Sequence, residues 1–157
     1  MKGSNFFIIT VPTPTTKSNK PDLSIIGKAA NSIAPILEKG ATVILESTVY
    51  PGVTETYLVP ILSKVSKLKL KKDFFVAYSP ERINPGESKY KLTNIKKVIG
   101  ADNKKTLLNT SKLYKSIIKA GVHEVSSIKV AEASKAIENA QRDINIAFVN
   151  EVMMLSK

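Results

Sequence analysis

The stretch FFIITVPTP at residues 6–14 decides the class of fold. Its first six residues are apolar or β-branched without interruption, and Pro12 and Pro14 end the run. A short continuous run of this kind is typical of a strand that is buried on both faces of a parallel sheet. We therefore predict a first strand over residues 6–11, followed by a rigid loop at its carboxyl end.

Helical and strand-like segments alternate along the next hundred or so residues. Apolar residues at helical spacing predict a helix over residues 22–38, with Asp22 as its N-cap, and a second helix over residues 54–66. The remaining predicted elements are strands over residues 42–45, 74–77, 97–99 and 122–125 and a helix over residues 104–119. This order predicts an α/β fold with a parallel sheet, right-handed crossovers and helices on both faces.

The last predicted helix is longer than a typical domain helix. Residues 127–157 contain neither glycine nor proline. One side of this helix is apolar and consists of Val130, Ala133, Ala136, Ile137, Ala140, Ile144, Ala147 and Phe148. Another side is polar and carries Glu132, Lys135, Asn139 and Arg142. We expect residues 1–126 to form one domain and residues 127–157 to begin a connecting helix.

The composition restricts the class of protein. With 157 residues, of which 43% are hydrophobic, the chain can bury one core of ordinary size. It contains no cysteine, which excludes disulfides, thiolate metal ligands and a cysteine nucleophile within this sequence, and no metal site is predicted. No apolar run is long enough to cross a membrane and no signal peptide is visible, so we expect a cytoplasmic protein.

The net charge of +11 is compatible with an acidic partner such as nucleic acid. The excess consists mainly of scattered lysines, and only two arginines, Arg82 and Arg142, are present. Surfaces that bind nucleic acid usually favour arginine and interleave aromatic residues with the basic ones. We therefore interpret the lysines, including Lys96 and Lys97, as solvated and expect neither a nucleic-acid nor a membrane partner.

Three loops of unusual composition follow the first three predicted strands. They cover residues 12–20, 46–52 and 79–86 and contain prolines, hydroxyls, carboxylates and an arginine. The carboxyl ends of parallel strands meet at one edge of a sheet, where α/β proteins bind their ligands. The sequence therefore predicts that function lies at this edge, although the first of these loops is equally well explained as a tight exit from a buried strand.

Several polar side chains in these segments have a functional and a structural interpretation. Thr48 could contact a sugar, a phosphate or a water, or it could serve local turn chemistry. Glu81 is a candidate general base and Arg82 a candidate ligand for phosphate or carboxylate, unless the two form a surface ion pair. Lys135 and Asn139 could donate hydrogen bonds to an oxyanion or a substrate carboxylate, or they could be solvated.

Taken in order, four motifs resemble the UDP-glucose/GDP-mannose dehydrogenase family, most closely its branch that acts on UDP-N-acetylmannosamine. The motifs are VPTP at residues 11–14, ESTVYPG at 46–52, SPERINPG at 79–86 and AEASKAIENAQRDINIAFVNE at 131–151. The resemblance spans nearly the whole chain. It implies a NAD-dependent, two-step oxidation of the C6 alcohol of a sugar nucleotide to a carboxylate, through a cysteine-bound intermediate.

The resemblance also implies roles for residues in the predicted loops. Pro12 and Thr13 would lie near the NAD cofactor, and Thr48 would lie near both the cofactor and the reacting carbon. Glu81 would act on the water that releases the product and would contact the substrate. A carboxylate that is close to a thioester can activate a water molecule, which makes this role physically reasonable.

The long helix is implied to carry further catalytic and substrate-binding residues. Lys135 and Asn139 would stabilise the developing oxyanion, because an ammonium group and an amide aimed at one oxygen favour charge that appears during the reaction. Arg82 and Arg142 are implied candidates for contacts with the carboxylate or phosphate groups of the UDP-sugar substrate.

Two features of the family are missing from this sequence. It has no G-x-G-x-x-G motif, which holds the pyrophosphate of a dinucleotide, and it has no cysteine. The sequence therefore resembles the second half of a dinucleotide-binding domain and the start of the central helix that contributes to dimer contacts in this family. We expect an inactive chain that forms a homo-oligomer or associates with the remaining segments. The alternative is a non-catalytic module that assembles with a partner through its long helix.

Overall fold

The computed structural model describes residues 2–82 and 92–156, so Ile83 to Gly86 of the SPERINPG motif lie outside the described residues. The described chain contains a five-stranded sheet in the order β1-β2-β3-β4-β5. Its strands are β1 (Phe6–Ile9), β2 (Thr42–Leu45), β3 (Phe75–Tyr78), β4 (Lys97–Ala101) and β5 (Val122–Glu124).

Within the described residues, four α-helices accompany these strands. They are α1 (Ser24–Ile33), α2 (Val59–Ser66), α3 (Lys104–Lys115) and α4 (Ile128–Leu155). Short 3₁₀ turns cover Ala34–Ile36 and Leu92–Asn94, and a π-helical segment, Thr54–Leu58, runs directly into α2. The predicted α/β fold and the predicted order of elements are therefore confirmed.

The ends of α1 differ from the prediction. The helix begins at Ser24 with Leu23 at the N-cap, and the carboxylate of Asp22 accepts a hydrogen bond from the Ser24 N–H at 2.9 Å. Asp22 therefore stabilises the chain just before the helix without being its N-cap. The helix ends at Ile33 because Pro35, which has no N–H, follows in the 3₁₀ turn.

The prediction of an entirely parallel sheet is wrong for one pair of strands. β1, β2 and β3 are parallel to one another, whereas β4 is antiparallel to β3, with Gly100 opposite Tyr78. β5 is again parallel to its neighbour β4. The sequence between β3 and β4 shows no helical periodicity, and an antiparallel pair, unlike a parallel one, needs no crossover helix.

The sheet is covered on both faces, as predicted. Because side chains alternate along a strand, Val43 and Leu45 of β2 belong to one core cluster and Ile44 to another. The larger cluster contains apolar residues of α1, α2 and the start of α4, and the smaller one contains Tyr114 of α3. Burying each large aliphatic side chain contributes about 1.5–3 kcal/mol, so both layers stabilise the sheet.

Helix α4 begins where the sequence predicts, and Ser127 caps it by accepting a hydrogen bond from the Val130 N–H at 3.2 Å. The side of α4 that packs on the core carries Ile128 and Ala131, which are buried, whereas Val130 and Ile137 of the predicted apolar side are exposed. From residue 139 onwards the described helix is exposed. In the described part of the chain, no helix is both long enough and apolar enough to cross a membrane.

Gly100 allows α4 to start directly against the sheet. A Cβ atom at this position would lie 2.4 Å from the carbonyl oxygen of Ser127 and 3.0 Å from the Cβ atom of Ala131. Because Gly100 lies opposite Tyr78, the last residue of β3, this close approach fixes the start of α4 beside the carboxyl end of β3.

We predict that Gly100→Ala lowers the free energy of unfolding by about 1–3 kcal/mol, because the new methyl group meets backbone atoms that cannot move aside. Gly27→Ala is the matched control, since its Cβ atom would meet the hydroxyl tip of Tyr57, a side chain that can rotate. Alanine also favours the helix interior by about 1 kcal/mol. Urea unfolding of both variants measures the difference, and equal losses would contradict the prediction.

Candidate functional site

A cleft of about 470 Å³ lies at the carboxyl ends of the parallel strands β1, β2 and β3. It is lined by Thr10, Val11, Pro12, Thr13, Glu46, Ser47, Thr48 and Glu81. The structure therefore brings together four residues that the sequence singles out on three separate loops: Pro12, Thr13, Thr48 and Glu81. Their chemical roles stay predictions at this point.

The first two loops are held together by a hydrogen bond from the Ser47 hydroxyl to the Val11 carbonyl oxygen at 2.6 Å. This bond fixes the loop that carries Thr13 beside the loop that carries Thr48. The Thr13 hydroxyl is buried and has no hydrogen-bond partner within the described residues, whereas Thr48 is exposed to the cleft. Since buried hydroxyls nearly always have a partner, Thr13 is available to a ligand.

The sequence did not predict that Lys97 is buried at this edge of the sheet. Its side chain is only 4% exposed, and its Nζ atom lies 3.0 Å from Glu46 Oε1 and 3.1 Å from Glu81 Oε2. The interpretation of Lys97 as a solvated lysine is therefore wrong. Because β4 is antiparallel to β3, its first residue lies beside the loop in which β3 ends, and this places the ammonium between two loop carboxylates.

Tyr114 of α3 completes this group of charges. Its hydroxyl donates a hydrogen bond to Glu46, and its ring centroid lies 5.1 Å from the Lys97 Nζ atom. Burial raises the pKa of Tyr114 above its usual value, and the nearby carboxylate of Glu46 raises it further. Tyr114 therefore stays neutral and acts as a donor, so that Glu46 is held by both a hydroxyl and an ammonium group.

Glu81 and Arg82 each bind a different charged residue. The Glu81 carboxylate contacts Lys97, whereas the Arg82 guanidinium lies 3.0 Å from Glu138 of α4. Arg142 lies 3.6 Å from the same Glu138 oxygen. Although partial burial acts to raise it, the pKa of Glu138 is lowered by the hydrogen bond and charge of Arg82. Glu138, which the sequence did not single out, thus joins the loop after β3 to α4.

Lys135 of α4 is half-buried. It lies close enough to Glu81, Arg82, Glu138 and Arg142 to interact with their charges. Burial lowers the pKa of its ammonium below the usual value of 10.5; the charges of Arg142 and Arg82 act in the same direction, and Glu138 and Glu81 oppose it. A lysine of this kind interacts more strongly with a nearby anion than a fully solvated one would. The structure thus brings Lys135 to the loop that carries Glu81.

Asn139 and Arg142, the other predicted residues of α4, follow Lys135 by one and two helical turns and are exposed. Neither lines the cleft. Their predicted contacts with a substrate therefore stay predictions.

The sequence places Glu132 on the polar side of α4 with Asn139 and Arg142, but unlike those two residues it is not exposed. The residue is fully buried, and its carboxylate accepts hydrogen bonds from the Gly52 N–H, the Thr54 N–H at 2.9 Å and the Thr54 hydroxyl at 2.7 Å. It follows Ile128, which is also buried, by four residues and therefore shares its side of the helix.

Residues 1–118 match the NAD-binding domain of the UDP-glucose/GDP-mannose dehydrogenase family. The chain belongs to this family. The predicted resemblance and the predicted cofactor class, NAD, are thereby confirmed at the level of the family.

Individual members of the family show how much of a complete protein the chain represents. UDP-N-acetyl-D-glucosamine 6-dehydrogenase of Pseudomonas aeruginosa is 52% identical over 155 residues, which cover 99% of this chain and 37% of that protein. The solved structure of the UDP-D-ManNAc dehydrogenase of Pyrococcus horikoshii has a TM-score of 0.90 and 39% identity, covering 98% of this chain and 36% of that one.

A second solved structure matches this chain to a similar extent. The UDP-N-acetyl-mannosamine dehydrogenase Cap5O of Staphylococcus aureus has a TM-score of 0.85 and 32% identity, and the match covers 97% of this chain and 37% of that one. The chain thus spans little more than a third of the length of these relatives, and the partial Rossmann-like fold that the sequence predicts is confirmed.

We predict that Lys97→Met lowers the free energy of unfolding by about 3 kcal/mol, because it leaves the largely buried Glu46 carboxylate, which is 11% exposed, without a counter-ion. The double variant Glu46→Gln/Lys97→Met should recover at least about 1 kcal/mol of that loss. Urea unfolding measures both changes, and Lys96→Met serves as the control because Lys96 is exposed. Equal effects of Lys96→Met and Lys97→Met would refute the predicted role of the buried ammonium.

We predict opposite changes in the pKa of Lys135 for two variants of α4. Glu138→Gln removes an attracting carboxylate and should lower this pKa further, whereas Arg142→Gln removes a repelling guanidinium and should raise it. The ¹³Cε chemical shift of Lys135, followed against pH by NMR, reports the pKa directly. Asp143→Asn, an exposed change on the same helix, is the control. Shifts of the same sign in both variants would be inconsistent with this charge arrangement.

Proposed function

We propose that this chain forms part of a NAD-dependent sugar-nucleotide 6-dehydrogenase, which oxidises the C6 alcohol of a UDP-N-acetylhexosamine to a carboxylate. The observation that carries the proposal is the cleft in which Pro12, Thr13, Thr48 and Glu81 meet at the carboxyl ends of three parallel strands. Ligands of open α/β sheets bind at this edge. Because the chain spans 37% of the length of a related dehydrogenase, we propose that it is inactive alone.

The cofactor would be held by Pro12, Thr13 and Thr48. The buried Thr13 hydroxyl, which has no partner within the described residues, fits a polar group of a dinucleotide. NAD, when bound, supplies the acceptor for a hydride from the substrate carbon. The sequence has no Gly-rich loop for the pyrophosphate, so these residues would form only one side of the complete cofactor site.

Glu81 would activate the water that releases the product. Its contact with Lys97 supports this role, because the buried ammonium holds the carboxylate at the edge of the cleft where Thr48 also lies. Thr48 would contact the reacting carbon or the water through its exposed hydroxyl. The cysteine-bound intermediate that the family resemblance implies would need a residue from outside this sequence, which contains no cysteine.

Lys135 and Asn139 would stabilise the oxyanion that develops at C6. The half-buried position of Lys135 supports this role, since an ammonium in a less polar environment stabilises a nearby anion more strongly than one in water. Arg82 and Arg142, which flank Glu138, would contact negatively charged groups of the substrate.

The hexose of the substrate has two candidates. The sequence motifs favour UDP-N-acetylmannosamine, the sugar named for the relatives from Pyrococcus horikoshii and Staphylococcus aureus. The relative from Pseudomonas aeruginosa, which has higher identity, is named for UDP-N-acetylglucosamine. We therefore propose the shared class, a UDP-N-acetylhexosamine, and include both sugars in the test.

The second candidate function is a non-catalytic module that assembles through α4. The exposed apolar side chains of this helix, among them Ile137, Ile144 and Phe148, support it. In either case we propose a division into residues 1–126 and 127–157, a cytoplasmic location in keeping with the absence of cysteine, and a homo-oligomer or an assembly with the remaining segments.

We predict that NAD and a UDP-N-acetylhexosamine raise the melting temperature of the chain, because ligands that bind the native state stabilise it by about 2.7 kcal/mol at one hundred times Kd. The UDP-sugar shift should be smaller for Lys135→Met and unchanged for Lys129→Met, whose lysine is exposed. GDP-mannose is the control ligand. NADH absorbance is recorded in parallel, and none is expected.

Two outcomes would contradict the proposal. A cooperative melt without any shift from NAD or either UDP-sugar would favour the non-catalytic module. Production of NADH would show instead that the chain needs neither a Gly-rich loop nor a cysteine for turnover.

A further inference from the structure

Glu132 is a fully buried carboxylate that takes no direct part in the proposed reaction. Its three hydrogen-bond donors are the N–H of Gly52, in the turn that follows Thr48, and the N–H and hydroxyl of Thr54, the first residue of the π-helical segment before α2. Glu132 itself belongs to α4, 80 residues further along the chain than Gly52. The carboxylate therefore connects two elements that are distant in sequence.

Both connected elements carry residues of the proposed site. Gly52 follows Thr48 by four residues, and Val49 between them is buried, so the turn is fixed to the core close to Thr48. On the other side, Lys135 follows Glu132 by one helical turn. A movement of α4 against this turn would therefore change the separation of Thr48 and Lys135.

The Glu132 carboxylate opposes such a movement because it is buried. A buried charge that loses its partners costs several kcal/mol, and the three donors to Glu132 within the described residues come from the opposite element. Separating α4 from the turn would leave the charge unpaired in the core. The contact thus acts as a clamp that has one favourable geometry.

We propose that Glu132 is a positioning residue, which holds the turn after Thr48 against the first turns of α4 and so sets Thr48 relative to Lys135 and Asn139. The inference rests on the proposed function only in treating these three residues as part of one reaction site. Catalytic groups must be held to within about 0.5 Å of their productive geometry, so a clamp of this kind has a direct effect on rate.

The chemistry of the clamp requires a carboxylate. A glutamine at position 132 could still accept from Thr54 through its single carbonyl oxygen, but its NH₂ group would then face the Gly52 N–H, donor against donor. Thr54→Val removes one donor and retains the charge, whereas Thr54→Ser retains the hydroxyl. These three substitutions test the clamp from both sides.

The test uses the titration of Lys135 in the chain, followed by NMR, as a report on the position of α4. Glu132→Gln and Thr54→Val should raise the pKa of Lys135 by at least about 0.5 unit towards 10.5, because a loosened helix exposes the ammonium to water. Loss of the negative charge in Glu132→Gln would by itself lower this pKa. A rise therefore identifies repositioning.

Two control variants separate positioning from a loss of stability. Ser127→Ala removes the N-cap of α4 and should destabilise the chain by a factor of about five in the unfolding equilibrium, without moving the Lys135 titration. Thr54→Ser should titrate like the unsubstituted chain. If Glu132→Gln does not fold, Thr54→Val carries the test by itself.

The outcomes distinguish this inference from the proposed function. An unchanged Lys135 titration in Thr54→Val and Glu132→Gln would overturn the positioning role, even for a chain that binds UDP-sugar. A chain that binds neither NAD nor UDP-sugar would overturn the proposed function, while a raised Lys135 pKa in both variants would still support the clamp.

Discussion

The reversal of chain direction between β3 and β4 is the constraint on which the rest of the structure depends. Because β4 runs against β3, its first residue, Lys97, lies where the loops after β2 and β3 begin. The same pairing places Gly100 opposite Tyr78, and the missing side chain of Gly100 lets α4 start against the sheet. The antiparallel pairing of β3 and β4 thus places both the Lys97 ammonium and the start of α4 at the edge of the sheet where the cleft lies.

Two buried charges then hold this edge together. Lys97 neutralises carboxylates from two different loops, and the carboxylate of Glu132 accepts hydrogen bonds from the start of the helical segment before α2. A buried charge is tolerated only when its partners are in place, so each of these contacts requires several elements to be folded at once. The geometry of the edge is therefore coupled to the stability of the whole domain.

β1 is one of the two edge strands of the described sheet. β1 pairs with β2, and Ile8 of β1 is 45% exposed. An unpaired edge strand is a site at which further strands or other chains can add. The chain spans about a third of the length of its relatives, and this edge strand and the exposed second half of α4 are the surfaces on which the proposed assembly with further segments rests.

The sequence by itself determined the class of fold, the order of its strands and helices, and the three loops that form the cleft, because hydrophobic periodicity and Pro/Gly turns are local signals. Only the tertiary structure decided the direction of β4 and the burial of Lys97 and Glu132. Both residues occur in segments whose composition suits exposure. Whether a charged side chain is buried depends on partners that the fold brings to it, and for Glu132 one such partner is 80 residues away.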